Sequence, residues 1–412
     1  MARLLPRLET NSRKHILLGG EPVVFHCNHY NYWLQRTVCL TPGLGMEDVI
    51  ADAAEASAYA CLVTGKEELG LEAPIDTLRL GAHVFAQLGF GTFDFSGVSS
   101  EGGVARTPTS HYGQLLFAPA GVEKFSQPMT HFDRGFAAAA CAAAFGLPLG
   151  SFDATTEACL SLGDAEGRIR LSRRGAPRAV PESPGAGKGS FMEPPGPYGD
   201  THVDEAGVLA ALAGIDFSGD EEGFIPRFGV ALTLNFANFY DRVSYEFLRR
   251  SDVVFGQLAA ELLVDAGYRC AFNTFGGIMT SAEWDAVVKP MCKTREDWVY
   301  GMAAVVNSLG WGTWRIHELT PERLVVRIYD DYESRGFLGA YGVADEGVSY
   351  LAQGGVAGIM NLVYVGGIDS RPKLDGNLYA RVFESEQSFT AWQTKCLASG
   401  DEYSEFVAAR RD

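Results

Sequence analysis

Two stretches of this 412-residue chain match almost position for position. They are Leu88-Gly89-Phe90-Gly91-Thr92-Phe93-Asp94-Phe95 and Leu309-Gly310-Trp311-Gly312-Thr313-Trp314-Arg315-Ile316. Glycines spaced by an aromatic read as a turn feeding a strand. Two further matches follow in the same order. Small-residue runs occupy 135–145 and 354–364, and Cys159-Leu160-Ser161-Leu162-Gly163-Asp164 returns as Cys396-Leu397-Ala398-Ser399-Gly400-Asp401. The separations, 309 − 88 = 221 and 396 − 159 = 237, differ only by loop-sized insertions. Such a chain folds as two copies of one unit, which also suits a length too great for one typical core.

Ahead of the first copy stands Phe25-His26-Cys27-Asn28-His29-Tyr30-Asn31-Tyr32-Trp33, with two of the chain's eight histidines, a cysteine and four aromatics. It returns as Asn235-Phe236-Ala237-Asn238-Phe239-Tyr240, where Asn235 and Asn238 replace His26 and His29. Asparagine hydrogen-bonds but is a poor transition-metal ligand. On a strand, His26 and His29 would face opposite ways; on a helix, a spacing of three puts them on one face. Residues 22–25 read as a strand, and a helix is expected from Asn28, leaving His26 at the strand end.

Helices are expected at 46–64, stopping at Gly65, and at 75–88 and 132–147. Strands are expected at 110–117, carrying His111 and Tyr112, and at 151–161, carrying Glu157 and Cys159. Residues 173–228 are a linker, rich in Pro and Gly and then acidic at Asp204-Glu205 and Asp220-Glu221-Glu222. Its Gly187-Lys188-Gly189 lacks the order of a phosphate loop. The units are then 1–172 and 229–412, with a strand at 230–234 and helices at 235–250, 253–268 and 296–309 in the second.

The charge balance, 34 − 51 = −17, disfavours nucleic acid or an anionic membrane as partner. No apolar run is long enough to span a bilayer, and the basic N-terminus precedes no signal core. Eight scattered cysteines without a C-x-x-C pair point to reduced thiols in a cytoplasmic protein and exclude the C-x-x-C-H haem attachment.

The repeated order, helices, Leu-Gly-aromatic-Gly, strands, a small-residue helix and a closing Cys-Leu-x-x-Gly-Asp strand, resembles the vinyl-4-reductase or hydrocarbon-binding domain family. The resemblance covers roughly 46–172 and 250–410. It implies an α+β fold: two similar units, each an antiparallel sheet with helices on one side, forming an internal pseudo-dimer. Family roles include tetrapyrrole biosynthesis and sensing of aromatic compounds. Sensor members hold a structural zinc with a glutamate and cysteines near the last strand; Glu157 and Cys159 match, but the next cysteine is replaced around Glu166-Gly167.

His26 and His29 are the candidate metal ligands, with His111 or Glu157 as a third. Two histidines and a carboxylate suit iron, and zinc or haem are alternatives. Tyr30 and Tyr112 could donate a proton or orient a substrate. Trp33, Phe90, Phe93 and Trp311 would form an apolar wall. The competing reading makes these histidines hydrogen-bonded core residues and the aromatics ordinary packing. Asp330-Asp331-Tyr332-Glu333 reads as a solvated acidic cluster, with a carboxylate reaching across the unit interface as the alternative, and His202 and His317 as surface or loop residues. Two functions follow: a metal- or haem-dependent oxidoreductase acting on a small hydrophobic or aromatic molecule in the first unit, or a non-catalytic carrier of a hydrophobic ligand or tetrapyrrole. The duplication leaves a further homodimer open.

Overall fold

The computed structural model describes residues 8–10, 15–41, 43–117, 125–187, 192–197, 199–251 and 257–410. The first half runs β1 (Leu8–Thr10), β2 (Ile16–Leu18), β3 (Glu21–Cys27), α1 (Asn28–Cys39), α2 (Met46–Glu68), α3 (Pro74–Gln87), β4 (Gly91–Ser99), β5 (Gly102–Ser110), α4 (His111–Gln114), α5 (His131–Ala144), β6 (Phe152–Ala158) and β7 (Gly167–Arg173). A linker helix, α6 (Glu205–Ala213), follows. The second half runs β8 (Ile225–Arg227), β9 (Val230–Phe236), α7 (Ala237–Ser251), α8 (Gln257–Cys270), α9 (Gly276–Thr280), α10 (Ala282–Val287), α11 (Arg295–Val306), β10 (Thr313–Thr320), β11 (Arg323–Tyr329), α12 (Tyr332–Tyr341), α13 (Tyr350–Met360), α14 (Gly376–Phe383), β12 (Phe389–Lys395) and β13 (Ser404–Arg410).

Each half carries the same antiparallel sheet, in the order β4-β5-β7-β6 and β10-β11-β13-β12. The expected α+β architecture of two similar units is therefore present. A third, five-stranded sheet, β1-β2-β3-β9-β8, joins them. Its central pair is antiparallel, with His26 opposite Thr233, Phe25 opposite Leu234 and Val24 opposite Asn235. His26 and Asn235 are 235 − 26 = 209 residues apart, and shifting each pair by that interval returns another pair of the same ladder. The two opening motifs are thus related by a local two-fold through the Phe25–Leu234 pair.

Backbone bonds repeat the symmetry. Phe25 N–H donates to Leu309 C=O and Leu234 N–H to Leu88 C=O, both at 2.9 Å. Each opening strand therefore docks on the glycine turn of the other half, and α1 packs on α8 while α7 packs on α2. Gly89 and Gly310 both have φ of 86°, and a Cβ there would lie 2.6 Å from Leu232 O and 2.7 Å from Val23 O. The two glycines permit this approach. The Cys-Leu-x-x-Gly-Asp repeat also has a structural cause. Asp164 and Asp401 accept from the Cys159 and Cys396 N–H groups, each at 2.8 Å, around left-handed Gly163 and Gly400.

Several expected boundaries move. Gly65 is buried inside α2, which runs on to Glu68, because packing overrides its weak propensity. The strand expected at 110–117 ends at Ser110, whose hydroxyl accepts from Gly113 N–H at 2.9 Å and caps a helical turn bearing His111 and Tyr112. The helix expected from Asn235 starts at Ala237, because pairing with β3 keeps Asn235 and Phe236 in the strand. The start of the helix expected at 253, the Lys188-Gly189 part of the linker and the N-terminal 1–7 lie outside the described residues.

Candidate functional site

The two-fold brings the polar residues of both opening motifs into one buried cluster. His26 is fully buried; its Nε2 lies 3.3 Å from the Tyr332 hydroxyl. Its ring packs against Tyr30 and Tyr240, both at 4.5 Å between centroids, and Trp311 at 5.0 Å. Trp311 Nε1–H donates to Phe25 C=O at 3.0 Å, which fixes the indole over the opening strand. Asn235, at the equivalent place, donates its amide to the Tyr112 hydroxyl of the first half at 3.0 Å. Each motif thus meets the tyrosine that follows a strand of the opposite sheet.

The two sides are wired together. Tyr240 O–H donates to Asn31 Oδ1 at 2.7 Å, and the Asn31 amide donates to His111 Nε2 at 3.0 Å. His111 Nε2 is then an acceptor, which puts the ring proton on Nδ1. Burial pushes His111 down to about 3 and His26 well below the usual imidazole range, so both are neutral. Burial, followed by neighbouring carboxyls and phenols, holds Tyr30 well above the ordinary phenol range. The Nδ1 atoms of His26, His29 and His111 are buried and meet no partner among the described residues.

The predicted site residues fall into three places. His26, Tyr30 and Trp311 are in direct contact, with Tyr112 and His111 reached through Asn235 and Asn31. Phe90 stacks on Tyr112 and meets Phe132 at a tilt, while Phe93 packs with Phe85 and Phe136 inside the first half. Trp33 turns away, lying between the Arg36 and Arg269 guanidiniums at 5.2 and 4.0 Å. His29 is only partly buried and neighbours the Cys27 thiol, whereas His26 faces Tyr332. Glu157 is exposed and pairs with Arg170. Among the described residues, no three His, Cys, Asp or Glu side chains are grouped so as to hold a metal ion. The histidine motif sits against Trp311 and Tyr332 of the second half, not wholly in the first unit.

Sequence patterning places Asp331 and Glu333 in solvent, and the structure corrects that. Asp331 Oδ2 accepts from the hydroxyls of Ser334 at 2.8 Å, Ser404 at 2.9 Å and Ser349. Glu333 accepts from Leu351 N–H at 3.0 Å and Ala352 N–H at 2.9 Å, at the start of α13. Burial, with the Asp331 charge adding to it, lifts Glu333 to about 8. Asp241 joins them from α7 and is held well above the carboxylate range, first by burial and then by Glu333 and Asp331. The first half also buries a hydroxyl–carboxylate pair, in which the Ser110 hydroxyl donates to Asp133 at 2.5 Å.

On the two-fold, beside the Phe25–Leu234 pair, lies a cavity of about 830 Å³. The glycine-turn leucines Leu88 and Leu309 line it from the two halves. Ile16 and Leu18 of β2, Leu209 and Leu212 of α6, and Ile215 and Phe217 complete its apolar wall. Gln87, Asp216, Ser218, Asn307 and Ser308 are the polar side chains among its lining residues. No sequence pattern marked it, because its lining comes from six separate stretches of the chain.

No helix among the described residues is long and apolar enough to cross a membrane. No protein-family model and no curated protein sequence matches the chain. Among solved structures, the chain is similar to the crystal structure of the phenol-responsive sensory domain of the transcription activator PoxR with phenol. The TM-score is 0.37 and the identity 12%, over 50% of this chain and 89% of that one.

Proposed function

We propose that the protein binds a small hydrophobic molecule in the cavity on its internal two-fold. The observation that carries this reading is the cavity itself, about 830 Å³ and walled mainly by Leu, Ile and Phe. That size and lining fall in the range of small-molecule sites. The wall is more aliphatic than aromatic, which favours a flexible aliphatic or alicyclic ligand over a flat one. The polar side chains among the lining, the Asp216 carboxylate included, would orient a polar head. The likeness of the repeated motifs to hydrocarbon-binding domains belongs to the same proposal. Calorimetric titration with 1-decanol and with phenol tests it. Saturable binding of decanol that is weakened by filling the cavity supports the reading; no saturable heat with either compound overturns it.

A second reading, a metal- or haem-dependent oxidoreductase, is favoured by one observation, the buried Nδ1 atoms of His26 and His29, which meet no partner among the described residues. The side chains as arranged do not fit a shared ion, since His26, His29 and His111 address Tyr332, Cys27 and Asn31 respectively. Metal analysis and an absorption spectrum of the purified protein test this reading. Stoichiometric iron or zinc, or a Soret band, lost on His26→Ala/His29→Ala would establish the bound group this reading needs.

A further inference from the structure

We infer that Cys27 and Cys270 form a redox-active dithiol, which closes to a disulfide on reaction with a hydroperoxide. Cys27 is the last residue of β3 and Cys270 the last residue of α8, 270 − 27 = 243 positions later. Both thiols are free and buried, at 0% and 1% exposure. They meet at one hydroxyl: Thr274 Oγ1 is 2.6 Å from Cys27 Sγ and 3.5 Å from Cys270 Sγ. The two sulfurs therefore lie on one small polar spot where the opening motif crosses the second half.

The local backbone makes this spot. α8 passes at Cys270 into a π-helical turn, Ala271–Phe275, before α9 resumes the α-helix. Single π turns in helices are uncommon and cluster at functional positions. Here the turn carries Thr274 to the sulfur pair. A second thiol beside the first is the arrangement in which a sulfenic acid is captured before it oxidises further.

The chemistry balances with one hydroperoxide. The Cys27 sulfur attacks the distal peroxide oxygen, the O–O bond breaks, and an alcohol (water, from hydrogen peroxide) leaves. Cys270 then attacks the Cys27 sulfenic sulfur; the S–S bond forms and water departs with the Cys270 proton. Two thiols are oxidised by two electrons and the peroxide is reduced. Burial limits the oxidant to one as small as hydrogen peroxide. The bond would tie the opening strand of the first half to α8 of the second.

The test uses the full chain treated with equimolar hydrogen peroxide, alkylated, and digested without reductant. The expected result is a Cys27–Cys270 linked peptide, lighter than the two free peptides by two hydrogens and released by dithiothreitol, together with a higher melting midpoint. Cys270→Ser should leave Cys27 advancing to the sulfinic acid with no link. Recovery of both cysteines alkylated after treatment that oxidises the less buried Cys292, or links scattered among other cysteines, would overturn the assignment. The wild-type measurement stands whether or not the variant folds.

Discussion

Phe25 and Leu234 face each other at the register position that the internal two-fold maps onto itself. All the cross-half relationships follow from that pair. The same strand that donates to Leu309 C=O carries His26 to Tyr332, and its mate carries Asn235 to Tyr112. The opening motifs act as exchanged arms, so neither half completes its core without the other.

The glycine turns that receive these arms should be equally intolerant of a side chain. Gly89→Ala and Gly310→Ala each put a Cβ against a strand carbonyl at positive φ. Each should cost more than about 2 kcal/mol in denaturant unfolding, given the strain and the displaced strand. Wild-type stability in either variant would mean that the docking is not as tight as described.

His26 can be tested by giving the first motif the residue of the second. His26→Asn keeps a group able to bond the Tyr332 hydroxyl, and unfolding free energy should stay within about 1 kcal/mol of wild type. His26→Leu leaves that hydroxyl buried and unpaired and should cost about 1–3 kcal/mol. Equal losses in both variants would point to a need for imidazole itself.

Filling the cavity should separate ligand binding from folding. Leu209 is only partly buried on the cavity side of α6, so Leu209→Trp adds bulk without displacing core atoms. Decanol affinity should drop at least about tenfold, near 1.4 kcal/mol. The melting midpoint without ligand should change little. Unaltered calorimetric affinity would place the ligand elsewhere.

Stability should fall as pH rises from 7 to 8. Below that window the unfolded histidines still bind protons that His26, His111 and His131 exclude in the fold, an opposing slope that fades as pH passes well above 6.5. Asp133 and Glu333 titrate at about 7 and about 8 in the fold, against carboxyl values near 4 in the unfolded chain. Their raised values mean the folded state holds more protons here. The stability they add is complete below the unfolded values and is lost as pH climbs through the folded ones. Glu333→Gln should flatten the decline of the melting midpoint, most visibly near pH 8; an unchanged slope would exclude Glu333 as its source.

The sequence by itself determined the duplication, the α+β class, the strand-to-helix break at Asn28 and the equivalence of His26 with Asn235. Those depend on local patterning and on repeated spacing, both written linearly in the chain. It also singled out His26, Tyr30 and Trp311, which do meet. Tertiary structure alone decided that the arms are exchanged, since antiparallel pairing of β3 with β9 depends on edges that only the folded halves present. It likewise decided that Trp33 turns out to Arg269, that Glu157 pairs at the surface, and that Asp331 and Glu333 are buried. An acidic run reads as solvated until serine hydroxyls and a helix N-terminus from remote segments satisfy it. The Cys27–Cys270 spot and the cavity have the same origin: each is assembled from segments whose proximity no local pattern records.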